Sequence, residues 1–137
     1  MTVKEWLQRA KKLDEEIDEL IKAQEQALTA ATSVTCGTGE KVQTSNVNTS
    51  EGKFINYASY SEMIDNRIDE LYAIKQEILQ AINLVDDATL RTLLIARYIN
   101  FGTWEQIAVD LHYSYVHIVH NLHPKSLKAI SEIVNSI

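Results

Sequence analysis

One cysteine, one proline and no long apolar run set the limits on what this chain of 137 residues can be. The single thiol, Cys36, cannot close an internal disulfide, which excludes a disulfide scaffold and suits a reducing compartment. No stretch approaches the roughly 18 apolar residues that span a bilayer, and the N-terminus lacks the apolar core of a signal peptide. No membrane partner and a cytoplasmic location are therefore expected.

Enzyme signatures are missing too. There is no glycine-rich phosphate loop, no His-Glu-x-x-His and no nucleophile elbow, so the expectation is a non-enzymatic protein without a cofactor. Asp14, Glu15, Glu16, Asp18 and Glu19 are the polar side that a long amphipathic helix requires. The four histidines, His112, His117, His120 and His123, fall within twelve residues. They have no cysteine nearby and form no closed tetrahedral set, so no metal site is expected.

What is present is helical periodicity. Hydrophobic residues make up 45% and charged residues 23% of the chain, an ordinary globular balance with enough apolar material for one modest core. From residue 3 to about 31, Trp6, Ala10, Leu13, Ile17, Leu20, Gln24 and Ala27 recur at spacings of four and three, the seam of a coiled coil. A second seam comprises Tyr57, Tyr60, Ile64, Ile68, Leu71, Ile74, Ile78 and Ile82. Two such helices most simply pair as an antiparallel hairpin, and either stripe can also be shared with a second protomer, giving a homodimer. Between them, residues 32–53 are rich in Ser, Thr, Gly and Asn and read as a flexible connection. Val85 ends the second stripe, and either aspartate of the Asp86-Asp87 pair can cap the next helix.

Residues 86–130 carry the functional signal. Thr103, followed three residues on by Gln106, forms a capping box, so a short helix is expected from Trp104 to about Leu111. Its apolar face is Trp104, Ile107, Ala108 and Leu111. His112, Tyr113 and Ser114 interrupt the pattern, and Ser114 is a good N-cap for a second helix from Tyr115. Ile118, Val119 and Leu122 form that helix's buried side, which leaves Tyr115, Val116, His117, His120 and Asn121 outward. Pro124 lacks an amide donor and disfavours helix in the preceding residue, so this helix should end near His123 and a last one start at Pro124. The layout is that of a helix-turn-helix DNA reader.

The run Leu-Arg-x-Leu-Leu-x-x-Arg-Tyr-Ile, then Trp-Glu-Gln-Ile-Ala-x-x-Leu-x-Tyr-Ser, then Lys-x-Leu-Lys-x-Ile resembles the helix-turn-helix of sigma-factor region 4. More closely it is similar to phage-encoded ArpU/RinA-type regulators, and the two upstream helices extend that resemblance over nearly the whole chain. The resemblance implies a regulator of late phage genes that binds double-stranded DNA and works with RNA polymerase. The outward residues Tyr115, Val116, His117, His120 and Asn121 with the caps Thr103 and Ser114 are the expected DNA contacts, and Lys125 and Lys128 the phosphate contacts, but region 4 helices usually present Arg or Lys where this chain has His117, His120 and Asn121.

Charge argues the other way. The chain carries −6, whereas DNA readers usually present a basic footprint. Residues 86–137 hold four basic and five acidic side chains, a balance of −1, which leaves −5 upstream. A monomer would bind DNA weakly, so a second copy or polymerase must add affinity. The expected architecture is thus all-α: a coiled-coil-like helical hairpin over residues 1–85, then a region 4-like helix-turn-helix domain over 86–137. The alternative is a non-enzymatic protein-interaction module of the same fold that does not read DNA.

Overall fold

The computed structural model describes residues 1–33 and 45–136, and side chains within 1–30 and 57–136. Every regular element among the described residues is helical: α1 (Val3–Ser33), α2 (Ser45–Ile82), α3 (Ala88–Leu94), α4 (Trp104–Leu111), α5 (Tyr115–His117) and α6 (His123–Ser136). Two wide, π-type stretches, Ile95–Ile99 and Ile118–Leu122, continue α3 and join α5 to α6. The protein is all-α.

The chain forms two compact units, one made of residues 14–70 and the other of residues 1–13 with the chain from Leu71 onward. In the first, Ile17 and Ile64 are buried on the two seams. Arg67 Nε donates to Glu16 Oε2 at 2.6 Å and Gln24 Nε2 donates to Ser61 Oγ at 2.5 Å. As the position rises along α1 its partner falls along α2, so these segments run antiparallel. The Glu16 carboxylate raises the Arg67 pKa above its ordinary value, first through the hydrogen bond and then through charge attraction. An ion pair this exposed fixes register more than it adds stability.

In the second unit the seam residues Ala10, Leu71, Ile78 and Ile82 are buried in company with Leu7, Ala81, Val85, Leu90, Leu93, Leu94, Tyr98, Ile107, Ala108, Ile118 and Ile130. The units accordingly divide the chain inside the two long helices, after Leu13 and after Glu70. Leu7, Ile78 and Ile82 have no solvent exposure and belong to the same unit as the C-terminal helices. Full burial of each such side chain stabilises by about 1.5–3 kcal/mol.

Two boundaries differ from those expected of the sequence. Residues 32–33 and 45–53 are helical, since α1 runs to Ser33 and α2 begins at Ser45; extending an existing helix adds a hydrogen bond for each residue fixed, and that does not require an apolar period. The remainder of the expected flexible connection lies outside the described residues. Pro124, secondly, ends no helix. His123, just before it, is in the right-handed helical region with φ −63° and ψ −48°, and its amide donates to Ile118 O, five residues back. The wide turn lets the proline ring follow without driving into the carbonyl four residues behind it, the contact that normally breaks a helix. Backbone therefore runs helically from Tyr115 to Ser136.

The other connections are built from local donors and acceptors. Asp87, the second of the aspartate pair, caps α3: its Oδ1 accepts from Thr89 N at 2.8 Å and Leu90 N at 3.3 Å. The α3 extension closes with Asn100 N donating to Ile95 O at 2.9 Å and Gly102 N donating to Ala96 O at 2.8 Å. A Cβ on Gly102 would stand 3.1 Å from that same Ala96 oxygen, which is why the smallest residue sits there.

Candidate nucleic-acid interface

Helix α4 occupies the span its capping signal indicates. Thr103 Oγ1 accepts from Gln106 N at 3.2 Å. Only half of the expected capping box forms, however, because Gln106 Nε2 turns to Asp110 Oδ1 at 2.8 Å. A charged acceptor one turn along the same face is the stronger partner. Ile107 and Ala108 are buried with Leu93 and Ile118, and Ala96, Trp104, Leu111 and Leu122 pack around them.

The turn after α4 spans His112, Tyr113 and Ser114. His112 takes the left-handed conformation with φ 62° and ψ 37°. Its amide donates to Val109 O, and the Tyr113 amide donates to Ala108 O at 3.1 Å, the bonding of a Schellman-type helix end. Ser114 then caps α5, its Oγ accepting from His117 N at 3.1 Å. Ile118 is fully buried while Val119 and Leu122 are half-buried, so the inward side of this helix rests chiefly on one residue.

Thr103, Ser114, Tyr115, Val116, His120 and Asn121 are all exposed, and His117 is half-buried. The structure links two of them directly: Asn121 Nδ2 lies 3.0 Å from His117 Nδ1. An amide NH2 only donates, so Nδ1 accepts and the ring proton sits on Nε2. One turn back, the Tyr113 ring meets the His117 ring with centroids 5.1 Å apart. Tyr113, His117 and Asn121 thus form a ladder of i, i+4 contacts. Tyr113 was missed from the sequence because it sits in the turn, although its spacing of four from His117 was the available signal. Val109, on the outer side of α4, is exposed as well and was not singled out.

The basic residues fall into two pairs. Arg91 Nη1 donates to Val85 O at 2.6 Å and Asp86 O at 2.9 Å, and Arg97 Nη1 donates to Gly102 O at 2.9 Å while its guanidinium lies 4.3 Å from the Trp104 ring centre. Both arginines are thereby committed to holding backbone. Lys125 and Lys128, three residues apart at the start of α6, are exposed and make no ion pair among the described residues.

His123 is set apart from the other histidines. It is 8% exposed, its Nε2 lies 2.6 Å from the Tyr98 hydroxyl, and its ring packs 4.5 Å from that of Trp104. Burial, followed by the charges of Lys4 and Arg97, lowers its pKa to about 4, and burial raises that of Tyr98 to about 12. The neutral ring accepts the phenol's proton as a hydrogen bond, so this histidine belongs to the core. No group of three His, Cys, Asp or Glu among the described residues could hold a metal ion. Among them, also, no helix is long and apolar enough to cross a membrane.

No family model, curated protein or solved structure matches this chain.

Proposed function

We propose that this chain is a DNA-binding transcriptional regulator of the phage late-gene type that its C-terminal sequence resembles, with residues 103–122 as a helix-turn-helix. What carries the reading is the arrangement of those residues: a capped helix, a three-residue turn through left-handed His112, and a second capped helix on a buried Ile118. That helix exposes Tyr115, Val116, His120 and Asn121, with His117 half-buried beside them. In DNA readers of this layout, the start of the second helix meets base edges in the major groove. Lys125 and Lys128 supply the phosphate contacts.

Two exposed lysines give little non-specific affinity, so RNA polymerase at the promoter or a second copy of the chain provides the rest. Ala10, Ile17, Ile64, Leu71, Ile78 and Ile82 are buried within one chain while Leu13, Leu20, Ile68 and Ile74 are half-buried, so a homodimer through the N-terminal helices would cover the half-buried part of the seams. Selecting bound duplexes from a random library with the full chain, with and without polymerase, tests the proposal; a library that stays unenriched in both arms overturns it.

The second reading is a protein-interaction module that does not read DNA, and one observation favours it. Val109 and Val116 are 66% and 62% exposed, and the segment between Arg97 and Lys125 contains no Lys or Arg. Failure to bind any duplex at low salt, together with stable binding to polymerase, would establish that alternative.

A further inference from the structure

Resting on the assignment of residues 103–122 to DNA, we infer that the outer face of α5 and its π-type continuation reads A·T base pairs in the major groove, through thymine methyls and adenine edges, and not guanines. Three observations converge on this. The commonest specific contact in the major groove is Arg or Lys to guanine O6 and N7. No such side chain exists from residue 98 to residue 124, and Arg97, the last before the gap, is turned onto Gly102 O and the Trp104 ring.

The first turn of α5 instead presents Tyr115 and Val116, 45% and 62% exposed. An aliphatic side chain lowered onto base edges needs an apolar partner, and the C5-methyl of thymine is the apolar group that unmodified DNA displays there. The third observation is the state of Asn121. One of its amide hydrogens is taken by His117 Nδ1, which leaves Oδ1 and the second hydrogen. Those two groups are the donor and acceptor that pair with adenine N6 and N7. The same bond fixes the His117 proton on Nε2, a single donor suited to a purine N7, which adenine and guanine share. Asn121 therefore supplies the choice of adenine.

The test uses the full chain and its selected duplexes, remade with deoxyuridine for thymidine, which keeps the pairing and removes only the methyl. The selected site should contain consecutive A·T pairs, and affinity should fall about four-fold for each methyl contacted. Val116→Ala should blunt that sensitivity, and Asn121→Ala should relax the preference for adenine while leaving the methyl effect. Guanines at the core of the selected site, binding without sequence preference, or equal affinity for the deoxyuridine duplex would each overturn the inference while leaving DNA binding in place. Absence of binding to every duplex, with or without polymerase, would remove both.

Discussion

Asn121 holds His117: the amide of one donates to Nδ1 of the other, 3.0 Å away across one helical turn. If these residues meet DNA as proposed, the two act on it as a unit. His117→Ala and Asn121→Ala should each cost on the order of 1–3 kcal/mol on a selected site and little on random DNA. The double variant should lose less than the sum, because removing Asn121 already frees the imidazole. Fluorescence anisotropy on selected and scrambled duplexes measures both terms; variants that match the unaltered protein on the selected site would sink the base-reading role.

Lys125 and Lys128 should behave differently. A phosphate contact carries no sequence information, so Lys125→Ala and Lys128→Ala should weaken all sequences alike. Each should also lower the slope of log affinity against log salt by about one unit. Loss of discrimination between sequences, with the salt slope unchanged, would place these side chains at bases.

The Tyr98–His123 pair predicts a pH dependence of folding. His123 has a pKa of about 4 in the folded protein against 6.5 for an ordinary histidine, so between those values the unfolded chain binds more protons. Stability from this group is complete above pH 6.5 and falls as pH drops toward 4, by up to about 3 kcal/mol. Urea unfolding at pH 7 and pH 5 measures the difference, and His123→Gln should remove the part belonging to this ring. An identical pH slope in that variant would show that other groups carry it.

His112 offers a stability test independent of DNA. Its left-handed backbone costs a non-glycine residue about 1 kcal/mol, and its side chain is exposed. His112→Gly should raise stability by about 0.5–1 kcal/mol and leave sequence preference unchanged, as read by thermal unfolding and duplex binding. A fall in stability would mean that the imidazole contributes more than its conformation costs.

Much of the candidate site was legible because its signals are local. Thr103 and Ser114 announce helix starts through backbone bonds three residues away, and Ile107, Ala108 and Ile118 repeat on one face, so boundaries followed from spacing alone. The seams were legible for the same reason, down to the burial of Ile17, Ile64 and Ile78. What spacing does not encode is competition between partners. Gln106 can reach back to its cap or forward to Asp110, and only the folded geometry decides. Tyr98 and His123 meet across 25 residues, a pairing without periodic trace. Pro124 carried a rule that holds for a regular α-helix, and the chain met it with a wider turn.

That wide turn makes the orientation of the outer face a matter of phase. Backbone runs helically from Tyr115 to Ser136, with Ile118 and Ile130 both fully buried, so the direction in which Asn121 points is indexed to the core by the number of residues between them. Removing one residue within 118–122 would force a rotation of about 100° of the first turn relative to the last helix, taking either Ile118 or Asn121 out of position. The stretch around Pro124 thus sets the angle at which the protein faces whatever it binds, much as the cut of a key's shank sets the angle of its teeth.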